Sequence, residues 1–204
     1  IVAKGTYNEN INFTGTNITL TSTDPNDPLV VAGTVIRGDG TTSVVIFSGS
    51  EDMSCELTGF TITGGHVLKP KYGGGIRGNG ARATISHCII SANTSEHYGG
   101  GIYGCNGLIS NCTIGNNTAY AGGGLCRCEG PITNCIINEN SAHHGAGLHD
   151  CDGQISNCIV NNNRTEAGGG GLISCYGEIR NCTISGNTGG GLLACGTVNN
   201  CTIV

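Results

Sequence analysis

A β-solenoid of three parallel sheets, an all-β rod wound from short strands, is the fold class that this sequence predicts, and three observations predict it. Glycine supplies 37 of the 204 residues, while charged residues make up 11% and aromatic residues 4%. That leaves too few helix formers and large side chains for an ordinary globular core. The second observation is self-similarity, since from Gly73 onward the chain can be laid out as successive units that match column by column. The third is the texture of each unit, which contains three short runs of alternating apolar residues separated by Gly and Asn punctuation.

The units cover residues 73–98, 99–121, 122–144, 145–168, 169–188 and 189–204, with lengths of 26, 23, 23, 24, 20 and 16. Their shared pattern is GGG(I/L)xxCxGxIxNCx(I/V)xxN. A period of this size is too short for a helical-hairpin repeat and suits one turn of a solenoid per unit. In the unit that begins at Gly145, Leu148, Ile155, Cys158 and Val160 are expected to point inward. Gly153 and Asn157 are expected at corners, where a positive φ is cheap for Gly and tolerable for Asn. Residues 1–72 are less regular but still read as short β-rich runs, with Leu57, Phe60 and Ile62 in the columns of Ile109, Cys112 and Ile114. The expectation is one domain over 1–204, with irregular coils over 1–72, regular coils over 73–204, and about nine coils in all. The stretches around Pro25–Pro28 and over 64–72 are expected to be surface excursions.

Several classes are excluded by the same composition. Only 4 prolines and no three-residue glycine period rule out collagen and polyproline linkers. No run of 18 apolar residues is available to span a membrane as a helix. A net charge of −5 without a basic cluster argues against a nucleic-acid partner.

The N-terminal IVAKGTYNENI, followed by repeated GGGI and NCTISGN, resembles the right-handed parallel β-helix repeat proteins of the pectin-lyase-like superfamily. In pattern it is nearest to non-enzymatic bacterial surface and secreted repeats of the planctomycete type and to chlamydial polymorphic outer-membrane proteins. The counterparts of the latter's alternating tetrapeptides are GGGI over 99–102 and IxxN over 114–117 and 184–187. The resemblance implies the fold over nearly the whole chain. It does not single out an activity, because this fold hosts lyases, esterases, adhesins and passive scaffolds.

Eleven of the thirteen cysteines fall in two columns. One contains Cys105, Cys128, Cys151, Cys175 and Cys195; the other contains Cys88, Cys112, Cys135, Cys158, Cys182 and Cys201. Cys55 and Cys126 lie outside both. A buried column of small apolar thiols can fill a narrow core. Disulfides within or between columns remain open, since the distance between coils falls in the Cα range that a disulfide needs. Cys126-Arg127-Cys128 is not a zinc-ligand spacing, so no metal or other cofactor is expected.

Catalytic candidates are few. Glu129 and Asp152 fall in one column on adjacent coils, beside Asn106 and Tyr176, with His149 and Asp150 next to them. Such carboxylates could act as an acid/base pair, or they could be solvated turn residues. Arg127 is the only strong base in that region, and no GxSxG elbow is present. His97, His143, His144 and His149 could face one side of the rod as loop residues near the GGG segments. An outward column of Ile89, Thr113, Ile136, Ile159, Thr183 and Thr202 reads as a flat lateral contact surface rather than an ice-binding plane. Glycosylation sequons occur at Asn12, Asn17, Asn93, Asn116 and Asn163, which are expected to be exposed. Those at Asn111, Asn181 and Asn200 are expected to have side chains occupied by ladder hydrogen bonds.

The chain begins at Ile1 in strand-like sequence and stops at Val204 in CTIV, with no helix-period segment at either end. Uncapped ends are therefore expected: either this is a fragment whose caps were cut off or left out, or Ile1 and Val2 at one end and Ile203 and Val204 at the other stack head to tail on further copies. The functional expectation is an extracellular or cell-surface structural subunit that is not an enzyme. Its partner would be itself, in a filament or scaffold. The alternative is an adhesin or glycan-binding module, and the third reading is a polysaccharide lyase or hydrolase using Glu129, Asp150 and Asp152.

Overall fold

One regular turn shows how the chain is built. Between Gly99 and Ala121 the strands are Ile102–Tyr103, Ile109–Ser110, Thr113–Gly115 and Thr118–Ala121. Each lies parallel to its equivalent in the next turn, with Ile102 opposite Leu125, Ile109 opposite Ile132, Thr113 opposite Ile136 and Thr118 opposite Ser141. The computed structural model describes residues 1–204 throughout as this pattern, an all-β parallel solenoid of about seven turns. In the order just given, the first and second sheets have eight strands each, the third has nine and the fourth has five.

Four sheets replace the expected three. The fourth is made from the segments before each GGG, such as Ser141–His144, whose inward residues after Val67 are small: Ser95, Ala119 and Ala142. Alternation between a small residue and a polar one carries little hydrophobic signal, which is why these segments read as loops. The solenoid makes about seven turns where about nine coils were expected, and its N-terminal turns are longer than the regular ones. Gly5 pairs with Thr34, 29 positions on (34 − 5), and Leu20 pairs with Leu57, 37 positions on (57 − 20).

The interior is a set of stacked columns. Ile76, Ile102, Leu125, Leu148 and Leu172 form one, and Ile85, Ile109, Ile132, Ile155 and Ile179 another, all fully buried. Each such side chain contributes about 1.5–3 kcal/mol by burial. Leu148, Ile155, Cys158 and Val160 point inward as expected. At the corners Asn157 takes φ 56°, as do its equivalents Asn134 and Asn181 to within a few degrees. Gly153 is a different case, because its φ is not positive and a Cβ there would overlap the Gly130 carbonyl of the turn beside it. Glycine at that position permits close approach between turns rather than a left-handed corner.

A buried asparagine ladder runs along the corner between the third and fourth sheets. Asn140 Nδ2 donates to Ile114 O at 2.9 Å and to Asn163 Oδ1 at 3.0 Å, while the Asn117 backbone N–H donates to Asn140 Oδ1 at 3.0 Å. Asn93, Asn117, Asn163 and Asn187 repeat the arrangement. Each carboxamide thereby satisfies backbone groups that the corner would otherwise bury unpaired.

The excursion around Pro25–Pro28 contains the only helix, Pro28–Gly33. Asp27 caps it by accepting from Leu29 N, and Pro28 sits in its first turn, where a missing N–H costs nothing. The helix lies on the outer face of the third sheet, where Thr61 Oγ1 donates to Val31 O at 3.0 Å. Within 64–72, expected to be an excursion, His66–Val67 instead joins the fourth sheet. No helix of the chain is long and apolar enough to cross a membrane.

Candidate functional site, an aromatic and charged flank

The flank where the fourth sheet meets the first gathers most of the chain's tyrosines. All three phenylalanines are internal, whereas Tyr72, Tyr98, Tyr103 and Tyr120, four of the six tyrosines, lie on or beside this flank. Tyr72 and Tyr98 each stand immediately before a GGG segment, and Tyr103 lies on the outer face of the first sheet, paired with Arg77 and Cys126 in the adjacent turns. The ring centroids are 4.7 Å apart for Tyr72 and Tyr103 and 5.6 Å apart for Tyr72 and Tyr98, each pair inclined by 28°. His97 stacks on Tyr98 at 3.9 Å.

Polar groups continue this wall into the following turns. The Arg127 guanidinium lies over the Tyr98 ring at 5.2 Å, contacts Tyr103 Oη at 3.4 Å and pairs with Asp150 at 3.6 Å. Both Arg127 and Asp150 occupy left-handed corner positions, with φ of 53° and 52°, which splays their side chains outward beside the first sheet. His149 Nδ1 is 3.3 Å from Asp150 Oδ2 and 3.8 Å from Cys126 Sγ. Burial holds the His149 imidazole below its ordinary pKa despite the Asp150 carboxylate, so it is predominantly neutral at pH 7. Burial also pushes the Cys126 thiol well up, which removes it as a nucleophile at neutral pH. Because Cys126 and Asp150 address the same ring nitrogen, the three do not form a relay in which the imidazole bridges acid and nucleophile.

The expected acidic group is split. Glu129 exchanges two hydrogen bonds with Asn106 in the preceding turn, both 3.2 Å long, and Asp152 accepts from Tyr176 N in the following turn at 2.9 Å. The predicted column is real, but its carboxylates tie neighbouring turns together. Asp150 alone of the three joins the aromatic flank. His143 and His144 meet Tyr120 at ring separations of 5.2 and 5.6 Å, with Lys69 over the Tyr120 ring at 5.9 Å.

All thirteen cysteines are free thiols, and the two predicted columns line the interior. Cys55 joins the same core, whereas Cys126 faces the flank. The sequon expectations need correction. Asn93 and Asn163, expected to be exposed, are 0% exposed because they are members of the asparagine ladder. Asn12, Asn17 and Asn116 are at the surface. Asn111, Asn181 and Asn200, expected to be occupied, are exposed at positive-φ corners, although Asn200 donates to Asn181 at 2.7 Å. The outward column of Ile89, Thr113, Ile136, Ile159 and Thr183 is in register on the third sheet. Val2 bridges to Ser22 and Ile203 pairs with Ile184, while Ile1 and Val204 are exposed.

Sequence reasoning missed the tyrosine wall, although Tyr72 and Tyr98 share a column before GGG and Arg127 had been noted as the local base. A family model described as "Right handed beta helix region" matches residues 11–204, in keeping with the right-handed winding of the solenoid. No curated protein and no solved structure matches the chain.

Proposed function

Since this chain belongs to the right-handed β-helix family, whose fold positions side chains without dictating chemistry, we propose that it is a non-catalytic, extracellular solenoid whose flank holds a polysaccharide. The observation that carries this reading is the wall of Tyr72, Tyr98 and Tyr103 continued by Arg127 and Asp150. Tyrosine offers an apolar body with a polar tip, which suits the mixed CH and hydroxyl surface of a sugar ring. The guanidinium and carboxylate add directional partners for hydroxyls at the rim. One set of groups per turn suits a ligand that runs along the rod axis.

Co-sedimentation with insoluble chitin, cellulose and peptidoglycan tests the reading. The unchanged chain should pellet with at least one of them, and Tyr98→Ala with Arg127→Met should reduce the bound fraction at least tenfold. Tyr176→Ala, on a separate corner, should leave it unchanged. Failure to bind any of the three, or binding indifferent to the double change, overturns it. Glycan cleavage that is lost in Asp150→Asn or Asp152→Asn would instead establish the enzymatic reading.

Head-to-tail assembly is the second reading. Leu193, Val198, Ile203 and Val204, on the last turn, are all more than one-third exposed, a face that a further turn of any origin would cover. Electron microscopy of the purified chain across a concentration series decides it. Axial filaments support stacking, and monomers at every concentration exclude it.

A further inference from the structure

A polar cleft lies on the other edge of the fourth sheet, away from the tyrosine wall. It encloses about 480 Å³ and is lined by Asn116, Glu139, Asn162, Arg164, Gly186 and Thr188, with no apolar side chain among them. That volume lies within the ~300–1,000 Å³ usual for small-molecule sites. Its origin is a change in one column. Asn116, Glu139, Asn162 and Gly186 occupy the same left-handed corner in consecutive turns, with φ between 54° and 62°. Where the first three carry side chains, Gly186 carries none, and the column opens into a notch flanked by Arg164 and Thr188.

At several places on the surface, polar side chains in adjacent turns pair with one another. Asn106 bonds to Glu129, Gln154 to Glu178 and Arg180, and Arg127 to Asp150. Around the notch, as at the exposed Asn111, Asn134 and Asn157 corners, such pairing is missing. The side chains of Asn116, Glu139, Asn162 and Arg164 stand on neighbouring turns, yet no hydrogen bond or ion pair joins any of them to the protein. One carboxylate, one guanidinium and two carboxamides thus converge on a single cleft with their hydrogen-bonding capacity unspent.

We infer that this notch is a binding site for a small neutral polyhydroxylated ligand, one or two sugar units in size, held by Asn116, Glu139, Asn162 and Arg164. The two formal charges cancel, which disfavours a strongly anionic or cationic ligand. The lack of an apolar lining disfavours an aromatic or lipid one. A carboxylate accepting from one hydroxyl of a vicinal pair, with a guanidinium or carboxamide donating to the other, matches the groups present. The notch is independent of the tyrosine wall, so it stands or falls separately from the polysaccharide reading.

The test is a nuclear magnetic resonance titration of the full chain with methyl α-mannoside, methyl β-galactoside and N-acetylglucosamine, with sodium acetate and sodium phosphate as charged comparisons. At least one sugar should shift the side-chain amide signals of Asn116 and Asn162 saturably, while the two salts should not. Gly186→Asn places in the notch a residue that tolerates the left-handed corner, and it should weaken the response at least tenfold. Glu139→Gln, which changes no buried group, should weaken it as well, and Tyr98→Ala should leave it intact. The inference is overturned if no sugar gives a saturable shift, if acetate or phosphate gives the same one, or if both notch variants respond like the unchanged chain.

Discussion

The N-terminal turns and the regular turns fill the same cross-section by different means. Over 1–72 the core rests on bulk: all three phenylalanines are there, and Phe13 and Phe47 pack with ring centroids 4.5 Å apart. Their polar closure is individual. The buried Glu51 carboxylate alone accepts from Gly15 N at 2.8 Å, Ser48 N at 2.9 Å and Gly49 N at 3.0 Å. From Gly73 onward the core rests on recurrence, with isoleucine, cysteine and asparagine each stacked on a copy of itself. Asn93 marks the boundary, since its Oδ1 accepts not from another ladder asparagine but from Gly65 N at 2.9 Å. One interior therefore depends on particular large residues, and the other on neighbours being alike.

The largest effect that sets the two apart is expected at Phe47. Phe47→Ala should cost about 3–5 kcal/mol in chemical denaturation, because it empties a fully buried ring site with an aromatic neighbour. A loss below about 1 kcal/mol would show that the N-terminal turns collapse around the gap and do not depend on ring volume.

Next comes Asn140→Ala, in the middle of the ladder. It leaves the Asn117 backbone N–H without a partner and takes the side-chain donor away from Ile114 O, at about 1–3 kcal/mol for the buried N–H. Hydrogen exchange should quicken in the turns on both sides of Asn140 but not around Phe47. Uniform acceleration along the whole chain would contradict local, neighbour-to-neighbour cohesion.

Glu51→Gln should cost about 1–3 kcal/mol. Burial alone would raise the Glu51 pKa, but the backbone N–H groups facing the carboxylate outweigh it and hold the carboxyl below its ordinary value near 4.5. A depressed folded pKa stabilises the fold above the unfolded value, and that stabilisation is lost as pH falls through the folded one. The difference in stability between the unchanged chain and Glu51→Gln should therefore be full at pH 6 and shrink below about pH 4.5. A gap that persists to pH 2 would remove the carboxylate from the account.

The smallest effect is chemical. The Cys175 thiol, by hydrogen bonding, holds the half-buried Cys195 thiol down at about 6, whereas burial pushes Cys105 and Cys151 well up. Iodoacetamide at pH 7 should label Cys195 first and leave the inner columns unmodified in the folded chain, as read by peptide mass spectrometry. Early labelling of Cys105 or Cys151 would show that the regular turns open more readily than their columns suggest.

Much of this architecture was written in the repeat. The inward isoleucine and cysteine columns and the parallel register followed from residues recurring at fixed spacing, which only a stacked arrangement rewards. What escaped had weaker signals or a different cause. The fourth sheet hid behind serine and alanine, which are too small to mark an inward face. Gly153 was assigned to the wrong cause, because glycine answers both to φ and to close approach and a sequence does not separate the two. The ladder asparagines Asn93 and Asn163 looked like surface sequons, since a motif of three residues carries no depth. Of the candidate flank, Arg127 and Asp150 were visible as charges, but their meeting with Tyr98 depends on how far the corner side chains splay.

The asparagine ladder also bears on how such a chain changes over generations. Each rung asks of the next only that it offer the same carboxamide in the same place. Excising residues 122–144, one 23-residue unit, would bring Asn117 against Asn163 and Leu148 against Ile102, pairings no different in kind from those lost. Unequal crossing-over between units can therefore shorten or lengthen the rod by whole turns without redesigning a core. Length becomes a heritable variable that is separate from fold.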